Sequence, residues 1–246
     1  MMMLSKKTAL ITGASRGIGR GIAHLFAEHG CFVGINFLKD VPAARKTEQI
    51  VKKTSDGLLL QGDVSDKQAV KSMVDQLVDE RGSIDILVHN AGMYQRHQFN
   101  EISASEWKRL LEVNLSSGYY LCQQVLPFMN NGGKIIFISS QLAFKGSSHG
   151  ADYATSKAGM LGLMKSLALE LADIPIYVNA VAPGTIDTDI IADYTLEMRK
   201  KREKQIPLGR LGTAEDIAKT CLFFASDLSD YVTGETLQVN GGLYIH

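Results

Sequence analysis

The sequence lacks the features of disulfide-bonded, membrane-spanning and nucleic-acid-binding proteins. Its three cysteines, Cys31, Cys122 and Cys221, are far apart and show no CxxC or Cys/His ligand spacing, so we expect reduced core thiols and no metal site. Basic and acidic side chains number 26 each, which leaves no net field to attract nucleic acid or an anionic membrane. No apolar run approaches the ~20 residues of a membrane span. We therefore expect a cytoplasmic protein with no nucleic-acid or membrane partner.

The remaining composition is that of an ordinary globular protein. The chain has 246 residues, of which 45% are hydrophobic and 21% charged, enough for one substantial core. No linker, low-complexity tract or internal repeat interrupts it. We expect a single domain over residues 1–246.

Apolar, β-rich runs alternate with longer helical patterns, which is typical of βαβ units. The predicted strands are 8–12, 31–37, 57–61, 84–89, 133–139, 176–182 and 236–239. The predicted helices are 18–29, 41–53, 66–81, 103–121, 151–171 and 213–225. Residues 185–212 fit no strand and are only partly helical, a length that suggests a functional lid. The predicted fold is α/β, a single-domain Rossmann-like, doubly wound parallel sheet of about seven strands with helices on both faces.

A glycine-rich turn lies between the first predicted strand and the first helix. It reads Thr12-Gly-Ala-Ser-Arg-Gly-Ile-Gly19, with GxxxGxG rather than GxGxxG spacing. Small residues let the backbone approach a pyrophosphate, and the helix N-terminus offers unpaired N–H groups. Tight turns use glycine for other reasons too, but the strand before and the helix after favour dinucleotide binding.

Tyr153 and Lys157 stand four residues apart in Tyr-Ala-Thr-Ser-Lys, and Ser140 ends the fifth predicted strand. On a helix, positions i and i+4 share a face, so the ammonium of Lys157 can favour the ionised form of the Tyr153 phenol. A tyrosine, whose ordinary pKa is about 10, could then exchange a proton near neutral pH. A bare YxxxK pattern more often marks an ordinary surface pair, so its meaning depends on the rest of the chain.

The motifs together resemble those of the short-chain dehydrogenase/reductases over essentially the whole chain. They are Thr12 to Gly19, Asp63-Val64, Asn90-Ala-Gly92, Asn114, Ser140, Tyr153 to Lys157 and Pro183-Gly184. The resemblance implies a cofactor half of about 1–130 and a catalytic and substrate half of about 131–246. The implied cofactor contacts are Gly13, Ser15, Arg16, Gly17, Ile18 and Gly19 in the turn, Asp63 and Val64 at the adenine, Asn90, Ala91 and Gly92 at the fourth strand, Pro183, Gly184 and Thr188 by the nicotinamide, and Tyr153 and Lys157.

The resemblance also implies the catalytic roles. Tyr153 would donate a proton to the carbonyl oxygen as hydride reaches the carbon, and Ser140 would polarise that oxygen. Lys157 would hydrogen-bond the nicotinamide ribose and lower the pKa of Tyr153, while Asn114 would hold a water.

The end of the second strand bears on cofactor choice. Phe37 stands where an NAD-preferring site would place an acid for the ribose hydroxyls. Arg16 can pair with a 2′-phosphate and Asn36 can donate to it. We expect NADP(H), with NAD(H) still possible through Asp40.

The substrate is expected to be a small carbonyl compound or secondary alcohol. The chain resembles both 3-oxoacyl-[acyl-carrier-protein] reductases and sugar or polyol dehydrogenases. Asn131 and Ile174 replace the arginines by which such reductases meet their acidic carrier, so the carrier protein stays an open partner. The lid offers another basic run, Arg199 to Arg202 with Lys204. Candidate pocket residues are Tyr94, Arg96, His97, Gln141, Leu142, His149, Ile190 and Tyr194.

Two further expectations concern activity and assembly. Some relatives bind dinucleotide without turnover, so a catalytically silent regulator is the alternative from another class, against which the intact Ser140, Tyr153, Lys157 and Asn114 argue. By resemblance we expect a homotetramer, with helices 103–121 and 151–171 at one interface and residues 239–242 at the other. Asn240 departs from the usual Asp there.

Overall fold

Seven parallel strands form one sheet at the centre of the protein. The computed structural model describes residues 2–245, apart from the Ile190 side chain, so Met1 and His246 of the predicted domain lie outside it. The strands are β1 Thr8–Ile11, β2 Phe32–Phe37, β3 Gly57–Gln61, β4 Ile86–His89, β5 Lys134–Ile138, β6 Tyr177–Pro183 and β7 Thr236–Val239. Their order is β3-β2-β1-β4-β5-β6-β7, with every pair parallel. The predicted fold class is confirmed.

The helices cover both faces of this sheet. They are α1 Gly17–Glu28, α2 Val41–Val51, α3 Lys67–Arg81, α4 Ala104–Leu111, α5 Ser117–Val125, α6 Leu142–Lys145, α7 Ala151–Glu170, α8 Leu196–Gln205 and α9 Ala214–Ala225. One buried cluster joins α1 and α9 to the sheet, and a second joins α3, α5 and α7 to the other face. This explains why β1, β2, β4 and β5 are buried at every residue: both of their faces are covered.

The strand order reverses direction between β1 and β4. From β1 the chain runs outward to β2 and β3 and then returns to β4 on the opposite side of β1. In open α/β sheets, ligands bind at such a reversal, outside the carboxyl ends of the strands. The glycine turn after β1 and Asn90 after β4 both lie at this edge.

The continuous helix predicted over 103–121 is wrong in one respect. It is divided into α4, a π-helical segment Glu112–Ser116 and α5, which continues to Val125. A π segment contains one extra residue in a helical turn, which no apolar periodicity signals. Other differences from the predicted bounds are a few residues at element ends, and the short helix α6 was missed.

The predicted lid, residues 185–212, contains a short 3-10 turn at Asp189–Ile191 and the helix α8. A β-bridge between Ile186 and Gly212 closes its base. Within residues 2–245, no helix combines the length and apolar character needed to cross a bilayer.

Candidate active site

The glycine turn after β1 is shaped by close backbone contacts. Gly13 and Gly17 have φ of +61° and +54°, in the left-handed region that favours glycine. A Cβ on Gly19 would lie 2.4 Å from the Gly13 carbonyl oxygen, so no side chain fits there. Helix α1 begins at Gly17 without a side-chain cap and without an acidic residue in its first turn. Its first N–H groups therefore remain available to an anion.

Buried side chains hold this turn against the start of the loop after β4. The Thr12 hydroxyl oxygen accepts hydrogen bonds from the backbone N–H groups of Asn90 and Ala91, each at 3.0 Å. The Asn90 amide in turn donates to the carbonyl oxygens of Thr12, at 2.9 Å, and Gly13, at 3.2 Å. The structure thus brings the predicted Asn90 to Gly92 segment next to the glycine turn.

Asn36 has a different task from the predicted one. Its side-chain oxygen accepts from the Gly13 N–H at 3.1 Å, and its amide donates to the carbonyl oxygens of Leu60 and Gly62 at 3.2 and 3.1 Å. The side chain is 1% exposed. The expectation that Asn36 donates to a 2′-phosphate is therefore corrected: Asn36 supports the turn from below. Phe37, 4% exposed, offers no polar group at the surface.

The charged side chains near the glycine turn differ in whether the fold already uses them. Arg16, with a side chain 64% exposed, forms an ion pair with Asp189, with 3.6 Å between Nε and Oδ2. Arg20 is committed to structure, since it donates to the Thr47 hydroxyl at 3.0 Å and to the Ser15 carbonyl, fixing Ser15 in the turn. Asp40, the alternative carboxylate, caps helix α2 by accepting from the Ala43 N–H at 3.0 Å. Arg16 is thus held only by a long, exposed ion pair, whereas Arg20 is bound within the fold.

Asp63 lies beyond β3 and is paired with an arginine that sequence reasoning missed. Its carboxylate accepts from the Ser65 N–H at 2.9 Å and from Arg109 at 2.9 Å. Partial burial acts to raise the pKa of Asp63, but the hydrogen bonds from Ser65 and Arg109 outweigh it and lower the pKa. Val64 is buried in the core. Their contacts with adenine remain a prediction.

Three of the predicted catalytic residues come together where β5 ends and α7 begins. Ser140 follows β5, and its hydroxyl interacts with the phenol of Tyr153 in the first turn of α7. Lys157 is buried, with its Nζ 5.8 Å from the centre of the Tyr153 ring. That ammonium donates to the Ile138 carbonyl oxygen at 2.8 Å. A Cβ on Gly92 would lie 3.6 Å from Lys157 Nζ, which places the loop after β4 against the same group.

Burial governs the protonation of this pair. It raises the pKa of Tyr153 to about 12, against the opposing effect of the Ser140 hydroxyl and with a further increase from Tyr94. It lowers the pKa of Lys157 to about 7. The expectation that Lys157 lowers the pKa of Tyr153 is not met among the protein's own groups, because burial raises that pKa and the Lys157 ammonium is bonded to the Ile138 carbonyl oxygen. At neutral pH Tyr153 keeps its proton and can donate it.

Asn114 lies in the π-helical segment and is completely buried. Its side chain accepts from the Met93 N–H at 2.8 Å and donates to the Met93 carbonyl oxygen at 2.9 Å and the Ser156 hydroxyl at 3.2 Å. Both ends of the amide are therefore used to join the loop after β4 to α7. The water-holding role of Asn114 remains a prediction.

The predicted nicotinamide-side residues follow β6. The Pro183 carbonyl oxygen accepts from the Gln141 N–H at 3.0 Å, which ties the end of β6 to the residue after Ser140. A Cβ on Gly184 would lie 2.7 Å from the Asn240 Cα, so Gly184 is required by the C-terminal segment. Thr188 reaches the glycine turn: its Cγ2 would be 3.6 Å from a Cβ on Gly17.

His89, immediately before Asn90, is a site neighbour that sequence reasoning missed. It is fully buried, and its Nε2 lies 2.7 Å from the Ser117 hydroxyl, which itself donates to the Val113 carbonyl oxygen. His89 must therefore donate through Nε2, and its Nδ1 is buried without a hydrogen-bond partner. Burial and the Lys157 charge lower the pKa of His89 to about 3, so it is neutral. Its place in the sequence next to Asn90 could have indicated that His89 lies near the site.

The candidate pocket residues are only partly brought together. The Tyr94 ring lies 4.7 Å from the Tyr153 ring, and Gln141 is buried beside Ser140 with its Oε1 unpartnered. Arg96 lies over the Tyr194 ring, at 4.8 Å from its centre. His97 and His149 contact their own loops through Gln95 and Ser148. The Ile190 side chain lies outside the described part of the chain.

Known proteins are similar to this chain over nearly its whole length. A family model described as enoyl-(acyl carrier protein) reductase matches residues 13–244. The 3-oxoacyl-[acyl-carrier-protein] reductase FabG of Staphylococcus aureus is 41% identical, covering 99% of this chain and 100% of its own. A short-chain dehydrogenase/reductase of Serratia marcescens, solved as a double mutant, has a TM-score of 0.93 at 32% identity, covering 98% of this chain and 99% of its own. The chain belongs to the short-chain dehydrogenase/reductase family.

As a short-chain dehydrogenase/reductase, the protein is an oxidoreductase. A further family structure bears on the cofactor. A short-chain dehydrogenase of Burkholderia cenocepacia, solved in complex with NADP, has a TM-score of 0.93 at 30% identity, covering 98% of this chain and 99% of its own.

Proposed function

We propose that the protein reduces 3-oxoacyl thioesters with NADPH, and that Tyr153 donates the proton. The observation that carries this proposal is that the buried Lys157 Nζ lies 5.8 Å from the Tyr153 ring centre and the Ser140 hydroxyl acts on the pKa of Tyr153, at the sheet edge that also bears the glycine turn. Relatives named 3-oxoacyl-[acyl-carrier-protein] reductases supply the substrate class.

The residues present fit a nicotinamide dinucleotide. The pyrophosphate would lie against the glycine turn, where a Cβ on Gly19 would leave no room, and against the uncapped N–H groups at the start of α1. Arg16 would exchange Asp189 for the 2′-phosphate, because the last residue of β2 is the uncharged, buried Phe37 and the Asp40 carboxylate beyond it is bonded to the Ala43 N–H. When bound, the reduced cofactor supplies the hydride.

The chain's own residues would handle the oxygen and its proton. Ser140 and Tyr153 would both donate to the 3-oxo oxygen, which stabilises negative charge as it develops in the transition state. Tyr153 would then transfer its phenolic proton to that oxygen. Lys157 would hold the nicotinamide ribose and, on gaining a proton, stabilise the phenolate that remains.

Two donors on one oxygen favour a ketone over a carbon–carbon double bond. Both reductions place hydride on carbon 3, but the final proton goes to carbon 2 of an enoyl thioester and to the oxygen of a 3-oxo group, where Ser140 and Tyr153 would donate. The description of the family model and the names of the curated relatives differ on this point. The Ser140 and Tyr153 arrangement agrees with the relatives.

One observation favours a second function, that of a sugar or polyol dehydrogenase. The Gln141 Oε1 is buried beside Ser140 and has no hydrogen-bond partner among the residues that the structure describes. An unpaired buried acceptor is costly, and a neighbouring hydroxyl of a polyol could donate to it.

A substrate panel separates these functions. Acetoacetyl and crotonyl thioesters of pantetheine, with sugars and polyols, would be assayed with NADPH, NADH and their oxidised forms. The proposal expects turnover of the acetoacetyl thioester with NADPH. Turnover of crotonyl thioester or of polyols alone would contradict it, as would a clear preference for NADH. Cofactor binding without turnover of any compound would indicate the silent regulator.

We also propose that the protein is a homotetramer through α7 with α4 and α5, and through the segment after β7. Leu169 on α7 and Tyr119 on α5 are exposed apolar side chains that such an interface would cover, at 82% and 45% exposure. Light scattering tests this, and a monomeric mass would contradict it.

A further inference from the structure

A carboxylate of the lid lies against the arginine of the glycine turn. The Nε of Arg16 is 3.6 Å from the Oδ2 of Asp189, the first residue of the 3-10 turn Asp189–Ile191. The residue before it, Thr188, rests on the same turn, since its Cγ2 would be 3.6 Å from a Cβ on Gly17. Contacts of the lid backbone with the glycine turn therefore place the Asp189 carboxylate beside Arg16.

This ion pair is of a kind that another anion can replace. Both side chains are largely exposed, Arg16 at 64% and Asp189 at 66%, and the contact is a single long one. Such pairs contribute little to stability. A phosphate monoester carries about 1.5 to 2 negative charges at pH 7 and can bond two nitrogens of one guanidinium. A phosphate that reaches Arg16 would therefore displace the carboxylate, because two anions on one cation repel each other.

We propose that Asp189 is a specificity-determining residue that competes with the 2′-phosphate of NADP(H) for Arg16. This inference rests on the proposed use of NADP(H). While Asp189 holds Arg16, only the remaining fraction of molecules offers a free guanidinium, and the apparent affinity for NADPH is reduced by that fraction. NADH has a hydroxyl group in place of this phosphate, so its affinity is independent of the competition. Asp189 thus lessens the preference for NADPH that Arg16 creates.

A second aspartate of the lid provides a matched control. Asp193, four residues farther along the chain, pairs with Arg96 of the loop after β4, also at 3.6 Å, and its side chain is 65% exposed. Asp189 and Asp193 therefore have the same charge, nearly the same exposure and the same contact distance, and differ in the arginine that they meet. Removing either one changes the charge of the lid equally, but only the loss of Asp189 frees Arg16.

The test is a fluorescence titration with NADPH and with NADH in the absence of substrate. Asp189→Asn is expected to lower the Kd for NADPH about two- to fivefold, the effect of removing an exposed ion pair, and to leave the Kd for NADH unchanged. Asp193→Asn should change neither value. Combined with Arg16→Gln, Asp189→Asn should have no effect on NADPH binding, because the cation for which the two anions compete is gone. Thermal melting confirms that each variant is folded.

Several outcomes would overturn the competition. They are an unaltered Kd for NADPH in Asp189→Asn, equal tightening of both cofactors, the same tightening in Asp193→Asn, and tightening that persists in the Arg16→Gln background. Failure of the proposed function gives a different result. A protein that does not reduce acetoacetyl thioesters can still show every expected shift in Kd, because no substrate is present. If Arg16→Gln itself leaves the Kd for NADPH unchanged, the proposed phosphate site is wrong and the competition with it.

Discussion

The two sides of the cofactor cleft are held by different forces. The glycine turn is fixed by internal hydrogen bonds from the buried side chains of Thr12 and Asn36 and the half-buried side chain of Asn90. The lid opposite is joined to the rest of the chain by two exposed ion pairs, Arg16 to Asp189 and Arg96 to Asp193. A third pair, Arg199 to Asp187, lies within the lid. The lid's own buried cluster is small and consists of Ile191, Ile206 and Leu211.

The difference has energetic consequences. A buried donor or acceptor that loses its partner costs about 1–3 kcal/mol, so the turn keeps its shape before any nucleotide arrives. An exposed ion pair contributes about 0–1 kcal/mol, so the lid can exchange one partner for another at little cost. The nucleotide side is preformed, and the substrate side is adjustable.

The largest expected effect is the loss of turnover when the proton donor Tyr153 is altered. Tyr153→Phe removes the proton donor and should lower kcat by about 10²- to 10⁴-fold. NADPH affinity should stay within twofold, because the ring still fills its site. Steady-state kinetics and fluorescence titration measure both. Tyr94→Phe, altering the ring 4.7 Å away, is the control and should retain most turnover. Unaltered kcat in Tyr153→Phe would show that the proton comes from elsewhere.

The buried Lys157 should make stability depend on pH. Its pKa is about 7 in the fold and about 10.5 when unfolded, so between these values the unfolded chain binds more protons and stability rises with pH. From pH 7 to pH 9, the unfolding free energy of the unaltered protein should gain about 2 kcal/mol relative to Lys157→Met. Urea denaturation measures it. The titration of the buried cysteines and of Tyr153 is common to both proteins and cancels in the difference. Parallel plots of unfolding free energy against pH for the two proteins would contradict the lowered pKa of Lys157.

The close contact in the glycine turn gives a steric test. Gly19→Ala places a methyl group 2.4 Å from the Gly13 carbonyl oxygen and should cost about 1–3 kcal/mol of stability, with a matching loss of NADPH affinity. Gly162→Ala on α7 is the control: a Cβ there meets nothing within 4 Å, and alanine should stabilise the helix by about 0.5–1 kcal/mol. Thermal denaturation compares them. A neutral Gly19→Ala would mean that the turn is not rigid.

Variants of Asn36 and Arg16 should distinguish a residue that supports the glycine turn from one that binds the 2′-phosphate. Asn36→Ala leaves the Gly13 N–H unpaired and should raise KM for NADPH and NADH by the same factor. Arg16→Gln should raise KM for NADPH about tenfold and leave that for NADH unchanged. Parallel kinetics with both cofactors measure this. A selective loss of NADPH in Asn36→Ala would restore its role as a phosphate donor.

The smallest effect is expected at the lid. Asp187→Asn breaks the ion pair with Arg199 and should change the unfolding free energy by less than about 1 kcal/mol. Urea denaturation at low and high salt tests it, with Asp75→Asn, which removes the exposed pair with Lys71, as the control. A loss of several kcal/mol would mean that the lid is as firmly built as the turn.

The fold followed from the sequence because its signals are local. Each strand is a short apolar run, and the turn after β1 has its glycines between a strand and a helix. The direction of the Asn36 side chain was not predictable, because its partners Leu60 and Gly62 belong to another strand and the loop after it. The pKa of Tyr153 depends on burial, which the spacing to Lys157 does not reveal. The pairing of Asp63 with Arg109 likewise joins distant segments.

The extra residue wound into Glu112–Ser116 sets where the buried amide of Asn114 points. A deletion of one residue there would restore a regular α-helix and leave α5 facing the sheet nearly as before, because a π turn absorbs its extra residue locally. The rewound turn would instead displace Asn114, and the hydrogen bonds that join Asn114 to Met93 and Ser156 would be lost. A single codon lost within this segment should therefore spare the packing of α5 and release the loop after β4 from α7.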